Sequence, residues 1–309
     1  MNKLELFAAA RSGIFPPGVT AKDLAQTWDK ATCPWSALHE AARRGHLPAG
    51  TTVADLIDAK DGQGWTALHD LVAGGHSLVG IKFSDLIEIE DDDGKSPLDF
   101  AVQNGNYPPG ITARNLADIT DMAGHSLLHE AANNGFLPPG TTIQDLAESI
   151  REDGWTALHE AAMGGCLPAG TTAADLANAA DDEDYTALHA AARWGHLSPG
   201  TTARNLADAK TAVGWTALHH AAQFGHLPMG TTLQDLMDAK DENELAALAL
   251  LASLGAKEQI GMVLDASQAT SETQLKEAGD LFKEKAPVAV ALWLAREMGR
   301  FQQEKPMNL

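Results

Sequence analysis

Two cysteines among 309 residues, Cys33 and Cys166, lie too far apart and in no metal-like spacing, which argues against both a disulfide framework and a zinc ribbon. Basic side chains are scarce as well. Against 22 Lys and Arg stand 42 Asp and Glu, and the resulting charge of -20 repels a phosphate backbone. Nucleic acid is therefore not expected as a partner, whereas a protein with a basic surface suits the chain. Long apolar runs are missing too: the longest, 245–254 and 287–295, fall well short of the roughly 20 residues that cross a bilayer. The opening MNKLELFAAARSG is broken by Glu5 and Arg11, where a secretory signal needs an unbroken apolar core. No membrane association and a reducing, cytoplasmic compartment are the expectations. With 44% hydrophobic residues the chain still has ample material for a core.

That material is distributed periodically. GWTALHEAA from Gly154 returns in steps of 30 as GWTALHDLV from Gly64, GKSPLDFAV from Gly94, GHSLLHEAA from Gly124 and GWTALHHAA from Gly214. Within one period, Thr156 is placed to cap a helix starting at Ala157, and Leu158, Ala161 and Ala162 then share one face. Gly165 falls where the helix should end in a left-handed residue, and the same glycine recurs at 45, 75, 105, 135, 195, 225 and 255. Pro168 and Gly170 mark a turn, and Thr172 with Asp175 forms an Asp variant of the capping box before a second helix anchored by Leu176. Neither helix can bury its apolar stripe alone. Copies must therefore stack and share a continuous core, so that Leu38, Leu68, Leu98, Leu128, Leu158, Leu188 and Leu218 meet the same surroundings.

The motif GWTALHEAA followed by Gly resembles the ankyrin repeat, whose signature is T-P-L-H-x-A in a unit of about 33 residues. Ser96-Pro97-Leu98 retains the proline of that signature; most copies carry Ala or Leu there. The resemblance covers roughly residues 3–263 and departs in length, because LPAGTT replaces a longer run and implies a shortened second helix. The expected fold is all-α, an ankyrin-like α-solenoid of helix-turn-helix repeats with a helical C-terminal extension. Residues 1–32, in which Phe7 takes the histidine place, are expected to form an N-terminal cap. Seven repeats at 33–242, a capping repeat at 243–266 and an extension at 267–309 should follow. The extension reads as two helices, 270–283 and 287–302, the second amphipathic with Leu292, Trp293 and Met298.

Twelve histidines raise the question of catalysis. HEAAR at His39 and HEAAM at His159 begin like a zincin helix, but Arg43 and Met163 stand where the second ligand belongs. The histidines of successive repeats would lie about 8–10 Å apart, too far to share one ion. The resemblance implies instead that each is structural, hydrogen-bonded to backbone and to the nearby Thr. No nucleophile has a convincing base and no glycine-rich loop follows a strand, so neither catalytic residues nor a metal or other cofactor is expected. Cys166 reads as a small packed side chain ahead of a reactive thiol.

By the same resemblance, partner-binding positions are those just before the Thr and the pair after Ala-Ala. The first set includes Trp65, Trp155, Tyr185 and Trp215, rings that either cover the Ala-rich helix ends or form a contact surface. In the second set Trp194 and Phe224 break a column of small and polar residues. With Arg193, Tyr185, Trp215 and His220 they form the best candidate for a binding patch. Acidic turns at 88–95 and 181–185 add a negative field, and -19 of the -20 falls on residues 1–254. The function implied is a non-catalytic interaction scaffold using its concave face. The alternatives are a targeting module for a C-terminal effector or oligomerisation segment, 267–309, and, more distantly, a hydrolytic or metal-dependent enzyme.

Overall fold

A computed structural model describes residues 2–28, 35–121, 124–243, 245–269 and 271–304. Cys33, Thr270 and the expected cap boundary at 32/33 lie outside the described residues. Among the described residues all regular structure is helical, with only isolated antiparallel bridges, such as Ile150 to Thr156, closing the turns between repeats. The chain divides into two compact units, Met1–Ile119 with Ser126–Thr141, and Thr120–His125 with Thr142–Leu309.

Each unit is a stack of helical pairs. In the first, Ala37–Arg43 packs on Ala67–Ala73 and that helix on Pro97–Asn104. In the second, Ala157–Gly164, Ala187–Trp194, Ala217–Phe224 and Ala247–Leu254 follow one another in the same way. The leucine of each first helix, Leu38 through Leu218, is fully buried, and so are the paired alanines behind it. Alanine lets neighbouring axes approach closely while each leucine contributes about 2 kcal/mol of burial. The second helices are short, as the three-residue deficit implies: Ala173–Asn178 and Ala203–Asp208 carry six residues each. The Thr172 amide donates to the Asp175 carboxylate at 2.8 Å and the Asp175 amide to the Thr172 hydroxyl at 3.3 Å, closing the expected capping box.

The first helices use a different box, in which histidine takes the place of the acid. The Thr156 amide donates to His159 Nδ1 at 3.1 Å, and His159 Nε2 meets the Tyr185 carbonyl, 26 residues on, at 2.9 Å. An amide can only donate and a carbonyl can only accept, so Nδ1 is bare and Nε2 carries the proton. Within the first unit His39 reaches Trp65 and His69 reaches Lys95 in this way; within the second, His189 reaches Trp215 and His219 reaches Leu245. Asp99 holds the same position but has no proton to give. It accepts from the Ser96 amide at 2.8 Å, so the cap survives without the forward bond.

A second histidine, present in four repeats as His46, His76, His196 and His226, reaches backwards. His76 Nε2 lies 2.8 Å from the Arg43 carbonyl and His196 Nδ1 lies 3.1 Å from that of Ala162, both last-turn carbonyls without an intrahelical partner. This is why Gly165 is doubly constrained: its φ is 71°, and a Cβ there would stand 3.0 Å from the His196 ring. Gly170, at φ 87°, would meet nothing within 4 Å, so only its backbone requires glycine.

The C-terminal segment packs against the last repeat of the second unit. Ser267 accepts from the Leu233 amide at 2.7 Å, and the Trp293 indole donates to the Ser267 carbonyl at 3.3 Å. Buried Glu297 accepts from the Ala269 amide at 3.0 Å and pairs with Arg296 and Arg300. The helices run Glu272–Phe282 and Pro287–Glu304. The grouping of Leu292, Trp293 and Met298 on one face does not hold: Trp293 is 1% exposed, whereas Leu292 and Met298 are 68% and 52% exposed. Adjacent residues lie about 100° apart on a helix, so Leu292 and Trp293 cannot share a direction.

Burial pushes the imidazoles of His39, His69, His159 and His219 below their ordinary pKa, and that of His189 to about 4. A histidine whose folded pKa is depressed stabilises the fold fully above about 6.5, and the contribution is lost as pH falls towards the folded value. Asp70, pushed up to about 7 by burial, and Glu160, raised for the same reason, have the opposite slope; Asp70 offsets His189, and the net fall comes from His220, driven down to about 3, with the other four imidazoles. Unfolding near pH 5 should therefore take up protons. The free energy of denaturant unfolding is expected to fall by several kcal/mol between pH 7 and pH 4, His220 alone accounting for about 3 kcal/mol; a flat or rising profile would contradict the neutral assignment.

Candidate functional site

The aromatic residues Trp65, Trp155, Tyr185 and Trp215 before the capping Thr are half-buried, each lying over the histidine of its own box. Trp65 stacks on His69 at 4.9 Å, Trp155 on His159 at 4.5 Å and Tyr185 on His189 at 5.1 Å; Trp215 leans on His219 at 4.8 Å. Each ring thus roofs a neutral imidazole. The indole N–H needs an acceptor, and at Trp155 the residue five positions on supplies it, Trp155 Nε1 donating to Glu160 Oε1 at 3.0 Å; Asp70 holds the corresponding position after Trp65.

This arrangement fails at Trp215. The position that should accept is His220, and both Trp215 Nε1 and His220 Nδ1 are buried without a hydrogen-bond partner among the described residues. Such groups cost about 1–3 kcal/mol each when left unmade. His220 instead sets its ring edge-on to Tyr185 at 5.6 Å, to His189 at 5.9 Å and against Trp215 at 5.9 Å. Burial, reinforced by His189 and Arg193, drives its pKa down to about 3, so it is neutral. The Arg193 guanidinium sits 5.2 Å over the Phe224 ring, and its charge opposes the rise that burial gives the Tyr185 hydroxyl pKa. Trp194 and Phe224 are 50% and 40% exposed.

A second departure flanks the same surface. Asp184 is the one described non-glycine residue with positive φ, at 59°, in the place where the other turns carry Gly64, Gly94, Gly124, Gly154 and Gly214. Within the second unit, then, Tyr185, Arg193, Trp215, His220 and Phe224 form a linked aromatic and cationic cluster, Trp194 stands exposed next to Arg193, and Trp155 stacks on Tyr185 at 5.8 Å. The carboxylate column of the repeats does not continue through it, because Ala190 and His220 stand where Glu160 stands one repeat earlier.

Trp65 belongs to the first unit, where it borders a cavity of 690 Å³ shared with Trp35 and Phe100. The expected set of site residues contained neither Phe100 nor Asp70. A signal existed: Phe100 interrupts the run Glu40, Asp70, Glu130, Glu160, and Ala73 is small where Arg43 and Arg193 are long. Asp61 and Asp91, in the turns around this cavity, accept from the amides of Trp65 and Lys95 at 3.0 and 2.9 Å, so these two aspartates shape the turns.

Among the described residues no three His, Cys, Asp or Glu side chains are grouped to hold a metal ion, and no helix is long and apolar enough to cross a membrane. Cys166 is half-buried, and burial raises its thiol pKa, which keeps it protonated at neutral pH. Compared with known protein families, residues 128–199 match ankyrin repeats in three copies and residues 213–235 match a further ankyrin repeat. No curated protein matches the chain.

Replacing His220 by Glu returns to Trp215 the acceptor that Trp155 already has. His220→Glu is expected to raise stability by about 1 kcal/mol in urea unfolding at pH 7, and a loss of stability of that size would show that the orphaned indole is not the defect described.

Proposed function

We propose, from the premise that the chain is an ankyrin-repeat protein, that it is a non-catalytic scaffold which binds another protein through the concave face of its second unit. Ankyrin repeats generally serve as protein–protein interaction modules. The observation that carries the finer reading is the unmatched pair Trp215 Nε1 and His220 Nδ1. The same stack satisfies the Trp155 indole with Glu160 and leaves that of Trp215 unsatisfied, and such local costs are typical of functional positions. Trp194, Phe224 and Arg193 are the residue types that dominate binding hot spots. Tyr185, Trp215 and Trp155 back them with rigid rings, so little ordering free energy opposes association.

The field supports a partner with a basic surface: 42 acidic against 22 basic side chains should speed its encounter and make the rate fall with salt. Nucleic acid and membrane find no complementary charge or span in the described residues. A cytoplasmic location accords with two widely separated cysteines. A second reading, in which residues 267–309 join two copies of the chain, is favoured by Val288, Leu292 and Met298, which are 72%, 68% and 52% exposed along one helix.

Capture from native extract followed by mass spectrometry separates these. Wild-type chain is expected to retain a partner that Trp194→Ala with Phe224→Ala loses at least tenfold, with the unfolding midpoint unchanged because both side chains face solvent. Equal capture by the double variant would remove the patch from the account, and recovery of the chain itself as the dominant species would favour the C-terminal reading.

A further inference from the structure

The cavity of the first unit differs in chemistry from the patch just described. Its walls are the rings of Trp35, Trp65 and Phe100, the last two edge to face at 4.8 Å. Its lining holds five carboxylates, with Asp92 and Asp93 exposed at the rim, against two bases. Neither base forms an ion pair with a carboxylate of the lining. Arg43 lies over the Trp35 ring at 5.9 Å and Lys95 pairs with Asp99 at 3.2 Å. Asp70 is half-buried beside Trp65, and no ion pair joins it to any described cation. The space exists because two substitutions coincide. Phe100 replaces the acid of its column, and Ala73 is short where Arg43 and Arg193 stand in other repeats. Gly74 next to it is fixed by packing, since a Cβ there would come within 2.7 Å of the Arg43 carbonyl.

We propose that this pocket binds an arginine side chain from a basic segment of a partner protein. An aromatic wall attracts a cation through its π face, and a carboxylate in the same cavity supplies the counter-charge. A guanidinium can do both at once, lying flat on an indole while its fork meets Asp70, whereas an ammonium offers only a point charge. At 690 Å³ the cavity exceeds one side chain, so residues flanking the arginine enter as well and meet the rim aspartates. The site does not depend on the patch of the second unit.

Binding should be linked to the Asp70 proton. Burial pushes this carboxyl up to about 7, against the opposing pull of Trp65 and Arg43; Asp61 and Glu40 raise it further, while Asp91 and Lys95 face it across the cavity. A bound cation favours the ionised form. Affinity for arginine should therefore fall about tenfold between pH 8 and pH 6.

Calorimetric titration of the full chain with the amidated peptide Gly-Arg-Gly-Arg-Gly tests this, alongside its citrulline and lysine counterparts. Arginine is expected to bind at least tenfold more tightly than citrulline and several-fold more tightly than lysine. Ala73→Arg, which supplies a guanidinium from a position where Arg43 and Arg193 are tolerated on the surface, should abolish binding with no loss in unfolding temperature. Asp70→Asn should weaken binding and flatten its pH profile, and Trp194→Ala with Phe224→Ala should leave it intact. Citrulline or lysine binding as tightly as arginine, or an unaffected Ala73→Arg variant, would overturn the assignment.

Discussion

In five of the repeats a single imidazole, bare on one nitrogen and protonated on the other, joins the start of the first helix to the backbone of the following repeat. His159 does this between the Thr156 amide and the Tyr185 carbonyl, and His39, His69, His189 and His219 do the same within their own units. The carbonyl also accepts from its own turn, as Tyr185 does from the Asp181 amide at 3.0 Å, but the Thr156 amide has the imidazole as its acceptor, so an apolar replacement would orphan a buried donor and remove the tie to the next repeat. The same geometry requires a neutral ring, and burial provides it. Much of the rest follows: the roofing tryptophan, the acid that accepts its N–H, and a turn whose first aspartate holds the roof in place.

Function is then read from where this system is broken. Asp99 keeps the cap and forfeits the forward bond, a purely local change. His220 is different, because it removes the acceptor of Trp215 in a second unit that elsewhere pairs Trp155 with Glu160. Phe100 in the first unit likewise exchanges an acid for a ring and, with Ala73, opens a cavity. Each departure carries a structural cost or an exposed surface that packing alone does not explain. The two proposals made above assign a partner protein to both places, through the exposed Trp194 and Phe224 in one and through a cation in the other.

The helices, their caps and their ends were legible in the sequence because each is decided within a few residues: Thr172 with Asp175 for one start, Gly165 for one stop. The stacking was legible because the same leucine recurs every 30 residues. What escaped is set by neighbours a full repeat away or by direction around a helix. That Trp65 and Trp155 cover a histidine, where the sequence suggested the Ala-rich helix ends or a contact surface, could not be read from their place in the motif. Trp293 and Leu292 look equivalent in a string of apolar letters and point about 100° apart in the helix. The orphaned nitrogens of Trp215 and His220 become visible only once Glu160 is seen accepting from Trp155.

The most direct measurement is a nitrogen-15 spectrum of the imidazoles in the full chain, assigned through substitution of single histidines. The account predicts that His159, His189 and His219 are neutral with the proton on Nε2 at pH 7, and that His189 remains so at pH 5. Rings protonated on Nδ1, or doubly protonated near pH 6, would contradict it.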